Sequence, residues 1–222
     1  MKDLKAIKGK YFIHRLIQEG EHEHQDFKFQ ISDARKIARS ISAFANNDGG
    51  RLLIGVKDNG AIAGVRSEED LYMIEAAAET FCRPAQKVEF TAYRCDEGAV
   101  VYVAAIPRAT LRPVFVREER NTLKAYYRVA DENIAAPPLM VRAWQRAASG
   151  TPALLRFSEA EQALLHLLRA AGSVDPATFH ITAHISRNEA EDAITRLASM
   201  GLVEFTYSHP GFLLIPGADE AP

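Results

Sequence analysis

The spacing of apolar residues predicts an alternation of strands and helices near the start of the chain. Phe27 and Phe29 alternate with polar neighbours over residues 25–30, which is typical of a half-buried strand. Residues 33–45 repeat their apolar positions at helical spacing after Ser32, a residue type that often caps helices. The apolar run at 52–56 then indicates a strand covered on both faces.

The same patterns extend this order to about residue 150. They predict helices at 4–18, 67–81 and 140–146, and strands at 61–65, 88–93, 100–106, 113–116 and 125–129. The fold class predicted for this part is therefore α+β, with a mixed sheet and flanking helices.

The last third of the chain has its own helix signals. Ser158 is followed three residues later by Glu161, and Ser186 by Glu189, and both pairs have the spacing of a capping box. A short helix is predicted between these two helices, and a hairpin is predicted after the helix that Ser186 begins. The order helix, short helix, helix and hairpin is typical of a small winged-helix domain. We predict a first domain at 1–148, a linker at 149–156 and a winged-helix-like domain at 157–222.

Charge is distributed unevenly between these two parts. The chain has 222 residues, with 27 Lys and Arg against 29 Asp and Glu. Residues 1–150 hold 23 basic and 20 acidic side chains (23 − 20 = +3), which leaves 4 and 9 (4 − 9 = −5) for 151–222. Because cations supply most of the affinity for phosphate, the first domain is the better candidate for binding nucleic acid.

Other features of the composition bear on the cellular location and on the state of the cysteines. No run of 18 apolar residues occurs, and the first ten residues are polar and basic, so we expect a cytoplasmic protein without a membrane partner. Cys82 and Cys95 are too few for a disulfide framework and are expected to be buried free thiols.

Several separated motifs resemble one family. Asp26-Phe27-Lys28, then Ala43-Phe44-Ala45-Asn46, then the segment from Gly49 to Val56 occur in the order and spacing of the Schlafen and AlbA-type DNA-binding domain family, over roughly residues 10–148. With a C-terminal winged helix, the resemblance implies a bacterial protein that binds DNA or RNA and acts like a transcription regulator. No G-x-x-x-x-G-K-[ST] loop is present, so we do not expect an ATPase.

The resemblance also implies an alternative enzymatic function. Schlafen members that cut RNA use three carboxylates, and the matching positions are Glu21, Asp26 and Asp58. Clustered carboxylates hold Mg²⁺ or Mn²⁺ and can activate water, so these three are the candidate catalytic and metal-binding residues of an endoribonuclease. Asp26 departs from the family's usual glutamate and is one methylene shorter. The other interpretation is that Asp26 and Asp58 cap turns or form ion pairs; without the nuclease activity no cofactor is expected.

Basic residues on the predicted helices and strands could line a phosphate-binding groove. The candidates are Lys28, Arg35, Lys36, Arg39, Arg51, Lys57, Arg117, Arg120, Lys124, Arg128 and Arg187. Scattered cations also occur on ordinary solvated surfaces. A third hypothesis is therefore an inactive protein-interaction module. Acidic residues on the helix after Ser186 would repel phosphate. The C-terminal domain is therefore expected to serve protein contacts, including a homodimer.

Overall fold

The computed structural model describes residues 4–150 and 156–218 and divides the chain into two units. One unit comprises Met1–Thr110 with Val114–Ala135, and the other comprises Leu111–Pro113 with Ala136–Pro222. The change of unit therefore falls between Ala135 and Ala136, whereas the first domain was predicted to extend to 148. Helix Pro138–Ala148 causes this difference, because it packs against a helix of the second unit. Of the predicted linker, residues 151–155 lie outside the described residues.

The first unit contains three α-helices and nine strands among its described residues. The helices are α1 (Lys10–Glu19), α2 (Ala34–Asn46) and α3 (Glu69–Ala76), which continues into a π-helical turn at Ala77–Phe81. The strands are β1 (Ile7–Lys8), β2 (Gln25–Lys28), β3 (Gly50–Ile54), β4 (Cys82–Arg83), β5 (Glu89–Arg94), β6 (Val100–Ile106), β7 (Phe115–Arg117), β8 (Leu123–Val129) and β9 (Glu132–Ala135).

The strands form two sheets. The larger sheet has the order β1-β5-β6-β3-β2, in which β1 is parallel to β5 and β2 to β3, while β6 is antiparallel to both of its neighbours. The smaller sheet, β4-β7-β8-β9, is antiparallel. The predicted mixed sheet with flanking helices is confirmed. The strand expected at 61–65 is reduced to one bridge between Val56 and Ile62.

Two helices begin later than the sequence indicated. Residues Ile7 and Lys8 pair with β5, so α1 starts only at Lys10. Asp33 rather than Ser32 caps α2, because the Asp33 carboxylate accepts the backbone N–H groups of the second and third residues of that helix.

Helix α2 is enclosed between the two sheets. Its core cluster joins residues of the larger sheet, such as Leu52 and Ile106, to residues of the smaller one, such as Val116 and Tyr126. The final residues of α2, from Ser40 to Asn46, are all buried, including the polar ones. An amphipathic pattern predicted one buried face, but along this final part of α2 the second sheet covers the other face as well.

Two asparagines attach the smaller sheet to the end of α2. Asn46 accepts the N–H of Val114 and donates to the carbonyls of Val114 and Tyr126, at 2.7–3.0 Å. Asn47 donates to the carbonyl of Arg128 and accepts its N–H. These amides complete backbone hydrogen bonds that the strands would otherwise lack. The sequence indicated only that this segment stops a helix.

The following pair of glycines permits close packing at the start of β3. A Cβ at Gly49 would lie 2.9 Å from the backbone nitrogen of Arg108, and a Cβ at Gly50 would overlap the ring of Phe44. Any larger residue would push the helix away from the sheet.

The second unit has four helices and a hairpin among its described residues. These are α4 (Pro138–Ala148), α5 (Glu159–Ala171), α6 (Phe179–Thr182), α7 (Arg187–Ser199), β10 (Val203–Ser208) and β11 (Gly211–Pro216). Both predicted capping boxes are present, at Ser158 and Ser186. A bridge joins Val174, which lies between α5 and α6, to Leu214 of β11.

No helix within the described ranges is long and apolar enough to cross a membrane. Cys82 and Cys95 are buried free thiols, and burial raises the pKa of Cys82 to about 12.

Candidate nucleic-acid interface

A buried carboxylate joins α2 to the hairpin formed by β7 and β8. Glu118 accepts two hydrogen bonds from the Arg39 guanidinium, both at 2.7 Å, and a third from the Tyr126 hydroxyl at 2.6 Å. The Glu118 side chain is only 8% exposed. We call these three residues the Glu118 clamp; it fixes the hairpin against the first half of α2.

The electrostatics of the Glu118 clamp agree with its geometry. Hydrogen bonds from Arg39 hold the pKa of Glu118 below its ordinary value, and this effect exceeds the opposing effect of burial. Burial and the adjacent carboxylate raise the pKa of Tyr126 to about 12. The clamp is therefore a carboxylate with a guanidinium and a neutral phenol at neutral pH.

Exposed cations surround the Glu118 clamp. Arg35 lies over the ring of Phe81 and 3.9 Å from Glu119, which is on the hairpin turn. A further four cations are exposed and form no ion pair within the described residues: Lys36, Arg117, Arg120 and Lys124. Residues 33–39 and 115–125 together carry six cations and three carboxylates (6 − 3 = +3). We call these two segments the hairpin surface.

Three of the cations predicted to bind nucleic acid are buried or partly buried. Arg128 is 1% exposed, donates to the carbonyls of His22 and Gln25, and stacks on Phe44, so its guanidinium is not exposed for the phosphate contact that the sequence predicted. Lys28 and Arg51 are partly buried and paired, Lys28 with Asp26 at 2.7 Å and Arg51 with Glu19 at 2.6 Å. The alternation over 25–30 failed to reveal this, because it assigned Asp26 and Lys28 to a solvated face.

Lys57 does not belong to the two segments of the hairpin surface. It is exposed, and its ammonium lies 5.5 Å from the centre of the Phe29 ring, which Arg66 also approaches at 5.3 Å. Arg66 was absent from the sequence-based candidates, since nothing in its local pattern distinguishes it from a solvated cation.

The three predicted catalytic carboxylates do not form one cluster. Glu21 and Asp26 are neighbours: burial and a hydrogen bond with Asp26 raise the pKa of Glu21, while Glu21 also accepts the N–H of Phe27. The Asp26 carboxylate forms an ion pair with the Lys28 ammonium and lies 3.6 Å from the Arg128 guanidinium. Asp58 lies in an exposed turn after β3. Within residues 4–150 and 156–218, no three His, Cys, Asp or Glu side chains are placed to hold a metal ion.

The outer face of α7 is covered by α4. Arg142 and Arg146 of α4 form ion pairs with Glu191 and Asp192 of α7, at 2.9 and 3.3 Å. Thr195 of α7 is buried. Arg187 remains exposed at the start of α7, where it pairs with Glu191. The second unit thus offers little of this helix to a duplex groove.

The enclosed helix and its two sheets define an α+β domain whose exposed cations gather at a hairpin. The chain belongs to the Schlafen, AlbA_2 family, because the model of that family matches residues 21–137, more than half of the chain. A search of curated proteins finds no match.

Two solved structures are similar to this chain. The DIP2311 protein from Corynebacterium diphtheriae is 24% identical over 86% of this chain and 34% of its own, with a TM-score of 0.43. The N-terminal domain of a RecG-related protein from Nitrosomonas europaea is 20% identical over 55% of this chain and 88% of its own, with a TM-score of 0.42. The present chain spans about a third of the length of the Corynebacterium protein.

Proposed function

We propose that this protein binds DNA or RNA by gripping the phosphate backbone with the hairpin surface. The observation that carries this proposal is the group of four exposed cations, Lys36, Arg117, Arg120 and Lys124, beside a hairpin that the Glu118 clamp holds in place. Family membership supports the same role. We further propose that the protein is cytoplasmic and acts as a transcription regulator.

Preorganisation favours this surface over other basic residues. Arg39 forms the ion pair with Glu118, so the buried carboxylate does not need a partner from the exposed surface. The neighbouring exposed cations are therefore available to a ligand. A rigid hairpin loses little conformational freedom on binding. Phosphate binding needs no base contact, so the surface is expected to bind many sequences with similar affinity.

The experiment compares two triple variants by fluorescence anisotropy with labelled single-stranded RNA, single-stranded DNA and duplex DNA. One variant replaces Lys36, Arg120 and Lys124 by Gln; the matched control replaces Lys5, Lys8 and Arg94, which are exposed cations at the β1–β5 edge. We expect the first variant to lose at least about tenfold in affinity and the control to stay near the wild type. Equal losses in both variants would contradict the proposal.

The carboxylate pair is less well suited to catalysis. Glu21 and Asp26 supply two of the three family carboxylates, but Lys28 occupies Asp26 and no third ligand joins them in the described part of the chain. We therefore derive no metal-dependent cleavage step. Incubating RNA with the protein and Mn²⁺ tests this directly: cutting that Glu21→Gln abolishes would establish the nuclease instead.

For the second unit we propose a winged-helix-like module that serves protein contacts, including a homodimer. Its order of elements and the coverage of α7 by α4 support this role over duplex reading. Ile181, an exposed apolar side chain, is a candidate contact. Sedimentation equilibrium of the full chain and of Ile181→Glu should detect a dimer that the substitution weakens; a monomeric wild type would contradict the proposal.

A further inference from the structure

The second unit contains a cavity that nucleic-acid binding does not use. Its volume is about 500 Å³, and its wall comes from the start of α4, the turn before α6, the first turn of α7 and the β10–β11 hairpin. The wall is largely apolar, with Leu139, Ala190, Phe205 and Phe212 among its members. Cavities of roughly 300–1,000 Å³ with an apolar lining and a few polar groups are typical of small-molecule sites.

Two arginines in the wall of this cavity share one carboxylate. The carboxylate of Glu191 forms ion pairs with two arginines. The Nη1 atom of Arg142 lies 2.9 Å away and the Nε atom of Arg187 lies 3.3 Å away. Both arginines are also among the residues that line the cavity. Two cations on one carboxylate leave a positive charge, and each guanidinium has five N–H donors in all.

The wall also contains a second carboxylate, Asp175, which lies on a different element from the two arginines. Asp175 turns one carboxylate oxygen to the backbone N–H of Ala177, at 2.9 Å, in the turn before α6. Arg187 is the first residue of α7, and Arg142 lies in α4, so both arginines are on the helix side of the cavity. The apolar floor and the arginine pair therefore suit opposite ends of one molecule.

We propose that this cavity binds an amphipathic organic anion, a compact apolar body carrying a single acidic group. The apolar body lies against Leu139, Phe205 and Phe212, and the acidic group accepts hydrogen bonds from Arg142 and Arg187. Such a ligand contacts α4 and α7 together, so it also strengthens the packing between these two helices.

A matched pair of fluorescent probes tests the site on the full chain. Anilinonaphthalene sulfonate has the required shape and charge, and phenylnaphthylamine is the same ring system without the sulfonate. Trp144 of α4 is the only tryptophan in the chain, so energy transfer from it reports probe bound in the second unit. We expect one saturable site for the sulfonate and about tenfold weaker binding of the neutral probe.

Two substitutions separate the two halves of the site. Arg187→Gln should weaken the sulfonate probe about tenfold and leave the neutral probe unchanged, whereas Ala177→Phe should weaken both by filling the cavity. The Arg187 side chain is 75% exposed, so its replacement should not affect folding. Circular dichroism checks the folding of both variants. If Ala177→Phe does not fold, the affinities of the two probes for Arg187→Gln still test the proposal.

Two further variants serve as controls. Arg156→Gln removes an exposed cation of the same unit, and Phe157→Ala removes an exposed apolar side chain; neither residue lines the cavity. Both should bind the probes like the wild type. Equal affinity for the two probes, no effect of Arg187→Gln, or loss of binding in Phe157→Ala would overturn the proposal.

Discussion

Replacing Glu118 by Gln should measure how much the clamp contributes to stability. The amide keeps one acceptor oxygen but turns an NH₂ group toward the guanidinium of Arg39, so donors face donors. Removing one partner of a fully buried ion pair costs about 3–5 kcal/mol. The Arg39 side chain is 40% exposed and can be solvated, which lowers the expected loss to about 2 kcal/mol. For a chain of this length that corresponds to a fall in Tm of about 4–8 °C.

The adjacent glutamate provides a matched control. Glu119 is 85% exposed on its side chain and lies 3.9 Å from Arg35, so Glu119→Gln should change the free energy of unfolding by less than about 0.5 kcal/mol. Thermal and urea unfolding followed by far-UV circular dichroism compare the three proteins.

The pH dependence of the same comparison has a defined sign. The pKa of Glu118 is lower in the folded protein than its ordinary value of 4.5, so its contribution is complete above that value. The contribution disappears as the pH falls through the folded pKa. The stability gap between the wild type and Glu118→Gln should therefore be constant near neutral pH and narrow below about pH 4. Equal unfolding of Glu118→Gln, Glu119→Gln and the wild type at pH 7 would refute the clamp as a source of stability.

Three further substitutions test individual contacts within the two units. Asn46→Leu leaves a buried N–H of Val114 and a carbonyl of Tyr126 without a partner, so chemical denaturation should show a loss of about 2–5 kcal/mol; a loss below 1 would contradict the bridging role. Gly50→Ala adds a Cβ that overlaps the Phe44 ring and should lower stability by about 1–3 kcal/mol in the same assay, and an unchanged midpoint would show that the helix can shift freely. Ser186→Ala removes the cap of α7 and should cost about 1 kcal/mol, whereas no change in Tm would mean that the cap is redundant.

Local signals predicted most of the elements. The run at 100–106 became β6 with the same bounds, and both capping boxes were correct, because these features depend on residues close together in the sequence. Strand β9 was missed: Glu132–Ala135 is short and weakly apolar, and its pairing with β8 rather than its own pattern makes it a strand.

The candidate interface was less predictable than the fold. Four exposed cations of the hairpin surface were visible as charges, but their neighbours were not. The contact between Arg39 and Glu118 joins residues 79 positions apart, and no local pattern indicates it. Burial of Arg128 depends on carbonyl groups supplied more than 100 positions earlier. Long-range polar contacts of this kind decide which cations remain available to phosphate.

The dependence of affinity on salt tests the central claim most directly. If the four exposed cations of the hairpin surface contact phosphates, the plot of log K against log salt for duplex DNA should have a slope of about −3.6. Replacing Lys36, Arg120 and Lys124 by Gln should reduce that slope by about 2.7, and the control at Lys5, Lys8 and Arg94 should leave it unchanged. The same slope in all three proteins, or binding that does not respond to salt, would contradict phosphate binding by this surface.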